Sequence, residues 1–92
     1  MNISFKATNM ELTNDIIDYA TKRVESLEKV LQRFDAPYES IICEIEVEKI
    51  TTQQTGDIFR AEVNISIPGE QLIRVEDTQP EIFVAIDEAK ET

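Results

Sequence analysis

Residues 41–50 read IICEIEVEKI, and after the polar stretch TTQQTGD the chain resumes at residues 58–67 with IFRAEVNISI. In the first run Ile41, Cys43, Ile45 and Val47 alternate with Ile42, Glu44, Glu46 and Glu48. In the second, Phe59, Ala61, Val63, Ile65 and Ile67 alternate with Ile58, Arg60, Glu62, Asn64 and Ser66. Successive side chains on a strand point to opposite faces, so each run has one apolar face and one polar face. Two such runs predict neighbouring strands with one side in a core and the other in water. The polar stretch Thr51 to Asp57, with its single Gly, is the segment expected to be mobile.

Reading outward from this pair, Pro68 and Gly69 suit the central positions of a type II turn, which leads into a further strand, QLIRVE. On the N-terminal side, TNDIIDYATKRVESLEKVLQRF predicts a helix from Thr13 to about Phe34. Thr13 serves as its N-cap, Asp15 falls in the positive first turn, and Leu12 and Ile17 stand at hydrophobic-staple spacing. At about 100° per residue, Ile16, Ile17, Ala20, Val24, Leu27, Leu31 and Phe34 gather on one face. Ahead of the helix, Ile3, Phe5 and Ala7 alternate with Ser4, Lys6 and Thr8, a short half-buried strand. A final helix is expected from PEIFVAIDEAKET, Pro80 to Thr92, with Thr78 and Glu81 at capping-box spacing and Ile82, Phe83, Ile86 and Ala89 on one side.

The predicted order is β-α-β-β-β-α. One crossover helix makes the first two strands parallel, and hairpins make the rest antiparallel. The expected fold is an α+β two-layer sandwich, a four-stranded mixed sheet with two helices on one face. Phe5, Val24, Leu27, Phe59, Val63, Phe83 and Ile86 are the expected core. At 92 residues the chain is one domain, residues 1–92.

Composition excludes several kinds of chemistry. The chain has no histidine, so schemes that need an imidazole base, and most zinc sites, fall away. Cys43 is the one cysteine; it can form no intramolecular disulfide, and its place in a strand reads as a small buried hydrophobe. Glu44 and Glu46 share a face but lie on an open sheet, without the cleft that would shift a carboxyl pKa. With no phosphate loop, nucleophile elbow or metal constellation, neither an enzyme nor a cofactor, metal or small-molecule substrate is expected. No apolar run approaches the roughly 20 residues of a membrane span, and the start MNISFKATN is unlike a signal peptide. A cytoplasmic protein is the expectation.

The net charge is −10, which by itself argues against a nucleic-acid partner. Its distribution is more informative. Lys22, Lys29 and Arg33 fall within about 20° of one line on the first helix, opposite the apolar face, and Arg23 flanks them. The outward sheet face carries Glu44, Glu46, Glu48, Glu62 and Glu76, answered by Lys6, Arg60 and Arg74. The molecule is therefore expected to be electrically two-sided. The plainer reading of the stripe is a solvated helix face with Asp18–Lys22 and Glu25–Lys29 pairs; that of the glutamates is a sheet kept soluble and unpaired.

Several segments are similar to a known family. ATNMELT, through Asn9, Glu11, Leu12 and Thr13, resembles the strand-to-helix corner of the ribosome hibernation promoting factor family, also called ribosome-associated inhibitor A, protein Y or sigma-54 modulation protein. KRVESLEKV resembles its basic-aliphatic helix, carried by Arg23, Leu27 and Lys29. Val47 to Lys49 and, most specifically, EIFVAIDEA at Glu81 to Ala89 resemble later motifs, so that the likeness covers nearly the whole chain in order. The resemblance implies a fold related in shape to double-stranded RNA-binding domains. It also implies a non-catalytic role: lodging in the decoding channel of the small ribosomal subunit and inhibiting translation in stress or stationary phase. In the family, basic residues on the two helices grip ribosomal RNA. Carried over, this points to Arg23 and Lys29; the stripe adds Lys22 and Arg33, and Lys90 is the basic residue near the end of the second helix.

There are departures. Ser26 stands where the family usually has Lys, and the family's second helix runs on into several basic residues, whereas this sequence stops at Thr92. A chain truncated within its second helix, or the N-terminal module of a longer protein, is the expectation, with homodimerisation expected where a C-terminal domain follows. The competing functional reading is an acidic protein-interaction module that uses the Glu-rich sheet face.

Overall fold

The computed structural model describes residues 1–33, 37–52 and 56–91. Its elements are β1 (Asn2–Thr8), α1 (Asn14–Glu25), α2 (Glu28–Leu31), a 3₁₀ turn (Tyr38–Ser40), β2 (Ile42–Thr52), β3 (Gly56–Ser66), β4 (Ile73–Gln79) and α3 (Ile82–Glu91). The sheet order is β1-β2-β3-β4. β1 runs parallel to β2, and the remaining neighbours are antiparallel. This is the mixed sheet expected from the alternating runs. Register carries the period-two pattern across strands: Phe5 pairs with Ile45, Ile45 with Val63 and Val63 with Val75.

The inward row of β2 and β3 (Cys43, Ile45, Val47, Ala61, Val63, Ile65) is buried, together with Ile41 and Ile67 just beyond the strand ends. It packs with Ile16, Ala20 and Val24 of α1, Leu31 of α2, and Ile82, Ala85, Ile86 and Ala89 of α3 in one cluster. Helices therefore cover one face, and the other faces water. Alanines on the helices (Ala20, Ala85 and Ala89, each 0% exposed) allow the backbones to come close to the sheet. Of the expected core, Val24, Val63 and Ile86 are buried, whereas Phe5, Leu27, Phe59 and Phe83 are half-buried and pack on its margin. The sheet has only four strands, so large rings near its edges and seams keep one side in solvent.

Three local expectations need correction. The long first helix is divided. Leu27 N–H donates to the Val24 carbonyl at 3.0 Å, a 3₁₀-type bond, while the Ser26 hydroxyl donates to the Arg23 carbonyl at 2.6 Å. The side chain competes with the helical ladder, as serine does within helices, and α1 ends at Glu25. Thr78 does not cap the last helix, because it belongs to β4 and pairs with Arg60; Glu81 supplies the first carbonyl, accepting from Ala85 N–H at 3.1 Å. The ends of the Thr51 to Asp57 stretch are strand rather than loop, with Thr51 paired to Asp57 and Thr52 to Gly56; its middle, residues 53–55, to which the expectation of mobility also applies, lies outside the described residues, as does Phe34.

Other signals hold. The Thr13 hydroxyl oxygen accepts from Ile16 N–H at 3.3 Å, capping α1. Glu70 N–H donates to the Ile67 carbonyl at 3.0 Å across Pro68 and Gly69, and Gly69 has φ +84°, as the third residue of a type II turn requires.

Candidate nucleic-acid interface

The helix layer places three of the expected cations in solvent, without a carboxylate partner among the described residues. Lys22 in the last turn of α1, Lys29 in α2 and Arg33 just after it are all exposed. The anticipated Asp18–Lys22 and Glu25–Lys29 pairs do not close to salt-bridge distance among the described residues; the ion pairs formed involve Arg23, Lys49, Arg60 and Arg74. Exposed pairs of this kind bring little energy and cost side-chain entropy, so open geometry is the expected state. Burial and then the nearby charges of Glu28 and Glu25 raise the Tyr38 phenol above its ordinary pKa.

Arg23 differs from the others. Its Nε donates to Asp87 Oδ1 at 2.8 Å, and one terminal nitrogen donates to the Tyr19 hydroxyl at 3.3 Å. Tyr19 in turn donates to Asp87 Oδ2 at 2.6 Å. The guanidinium carbon lies 4.8 Å from the Tyr19 ring centroid, in cation–π range, and the Phe83 ring meets Tyr19 edge-on at 4.9 Å and 72°. Arg23 is held above its ordinary pKa, chiefly by the Tyr19 hydroxyl and then by Asp87. It therefore ties α1 to α3 as well as carrying charge. Sequence reasoning missed Tyr19 and Asp87; the available signal was Tyr19/Arg23 and Phe83/Asp87, each at i, i+4 on an apolar-flanked helix. The fifth expected residue, Lys90, is within α3, but its side chain lies outside the described residues.

The opposite surface is acidic but largely answered. Arg60, in the middle of β3, reaches Glu62 at 2.6 Å, Glu46 at 2.9 Å, Glu48 at 3.0 Å and Glu76 at 3.3 Å. Arg74 adds Glu62 at 3.0 Å. The bond from Arg60 holds the Glu62 carboxyl below its ordinary pKa. Of the outward glutamates, Glu44 has no cation within salt-bridge distance among the described residues. Cys43 is fully buried, and burial pushes its thiol up to about 11, so it is an inert core atom. Among the described residues no cluster of metal-ligating side chains occurs, and no helix is long and apolar enough to cross a membrane.

The β-α-β-β-β-α sandwich is the fold that the sequence likeness implied; the exposed helix cations and the acidic open sheet follow the charge pattern of the sequence. A family model described as sigma 54 modulation protein / S30EA ribosomal protein matches residues 2–92. The chain belongs to that family. The sigma-54 modulation/S30EA family is a ribosome-associated group, which agrees with the likeness seen in the Asn9–Thr13 corner and the Glu81–Ala89 segment. No individual curated protein matches the sequence.

Proposed function

We propose that this sigma-54 modulation/S30EA chain is a non-catalytic cytoplasmic inhibitor of translation. It binds ribosomal RNA of the small subunit, within the decoding channel and under stress, through Lys22, Arg23, Lys29 and Arg33. The observation that carries this reading is the sorting of charge. Among the described residues Lys22, Lys29 and Arg33 stand exposed and form no ion pair, whereas the sheet-face arginines are engaged by glutamates. A protein of net charge −10 can approach a phosphate backbone only with its basic face forward. Contacts of this kind position a domain by shape rather than by sequence.

The test compares two charge reversals of equal size. Lys29→Glu should weaken cosedimentation with small ribosomal subunits and lower the slope of log affinity against log salt by about one unit. Lys6→Glu on the outer sheet face, where Lys6 is exposed and makes no ion pair among the described residues, should do neither. Equal losses from both would reduce the effect to overall charge. The acidic-module reading is less supported, because Arg60 already answers four of the five outward glutamates; binding abolished by Glu44→Gln but not by Lys29→Glu would favour it.

A further inference from the structure

We propose that Asp87 is a positioning residue for RNA binding: from α3 it fixes the Arg23 guanidinium on the surface of α1, so that the donors still free are presented to a phosphate. The inference rests on the interface reading above and adds to it a residue of negative charge. An arginine offers five N–H donors in a rigid planar fork. Asp87 takes Nε and Tyr19 takes one terminal N–H, so the hold is on one edge of the fork. The side chain is still 46% exposed, and its other donors have no partner within the protein among the described residues. Tyr19 supports the plane from below, and Phe83 supports Tyr19. An exposed arginine normally loses rotamer freedom when it meets a phosphate; here that loss is incurred on folding.

This role has an unusual sign. By charge alone, removing Asp87 makes the protein less negative and should tighten its hold on RNA. By positioning, removal frees Arg23 and should weaken it. The experiment measures affinity of the 92-residue chain for purified small ribosomal subunits at fixed salt, for the parent, Asp87→Ala, Arg23→Ala and the double variant.

Asp87→Ala is expected to weaken binding roughly three- to tenfold, in the range of coupling between contacting side chains, and to have no weakening effect once Arg23 is alanine. Asp87→Asn keeps an acceptor oxygen and should lie closer to the parent than Asp87→Ala does. Tighter binding by Asp87→Ala would show a purely electrostatic role and overturn the proposal. Equal losses in the two backgrounds would show a role in holding α3 in place and would also overturn it. Either result leaves the interface reading standing if Lys29→Glu still weakens binding. A parent chain that does not bind, or binds without regard to Lys29, overturns that reading and this inference together.

Discussion

Asn9 has φ +57° at the corner between β1 and α1. A left-handed backbone costs an ordinary L-residue roughly 1–2 kcal/mol, and asparagine and glycine tolerate it best. The residue that marks the family likeness at this corner therefore has a backbone reason to be there, apart from any contact. Asn9→Gly should be nearly neutral in urea denaturation, whereas Asn9→Val should cost about 1–2 kcal/mol; equal stability of the two would remove backbone strain as the explanation. Cys43 supports a second prediction at this scale. Its thiol is pushed up to about 11 when folded, from an ordinary value near 9. The neutral thiol is favoured by the fold, so its contribution is complete below the unfolded pKa and is lost as pH rises through the folded one. Between about pH 9 and pH 11, Cys43→Ala should lose less stability than the parent. Alkylation at lower pH should occur only at the rate of opening.

At the scale of elements, period two is legible because each face of β2 and β3 meets a different medium. The break after Glu25 was not legible in the same way. Ser26 (φ −65°, ψ −13°) and Leu27 (φ −85°, ψ 0°) both keep right-handed dihedrals, so the hydrophobic pattern passes through the break almost unaltered. Only the serine hydroxyl hinted at it. The break leaves Leu27 half-buried, while Ile86 is 2% exposed. Ile86→Ala should therefore cost about 2–5 kcal/mol and Leu27→Ala clearly less, as read from denaturation midpoints. Arg60 is the other element-scale device, since it joins glutamates from β2, β3 and β4. The depressed Glu62 carboxyl contributes stability that is present above the unfolded pKa and lost as pH falls through the folded one. In Arg60→Ala, Glu46, Glu48 and Glu76 lose the cation they share and Glu62 keeps only Arg74, so the ionised carboxylates repel one another and destabilise the sheet. The stability gap between parent and variant should be widest near neutrality and should narrow below about pH 4–5. A gap that stays constant down to acid pH would mean that the network contributes no net stability.

For the whole molecule, the sequence located both charged surfaces but not how each is wired internally. Lys22, Lys29 and Arg33 could be placed on the helix face from spacing within one element, and they are exposed there. The Arg23–Asp87 contact spans a sequence separation of 64, and the Arg60 network depends on register across three strands, so neither could be read from local pattern. The resulting polarity makes one last prediction, in which salt acts on folding and binding with opposite signs. The net charge of −10 makes the compact chain repel itself, and screening relieves that repulsion over a Debye length of about 10 Å at 0.1 M salt. The Arg60 pairs, on a side chain 18% exposed, are screened less than the open surface is. Adding salt should therefore raise the thermal midpoint. The same addition displaces the chain from phosphate, because counterions released on binding are harder to release into salt; three phosphates should cost on the order of tens of fold in affinity between 50 and 200 mM. Thermal melts and subunit binding measured across one salt series test both halves. A midpoint that falls with salt would show that attraction within the Arg60 network outweighs net repulsion. An affinity independent of salt would show that the helix face does not meet phosphate at all.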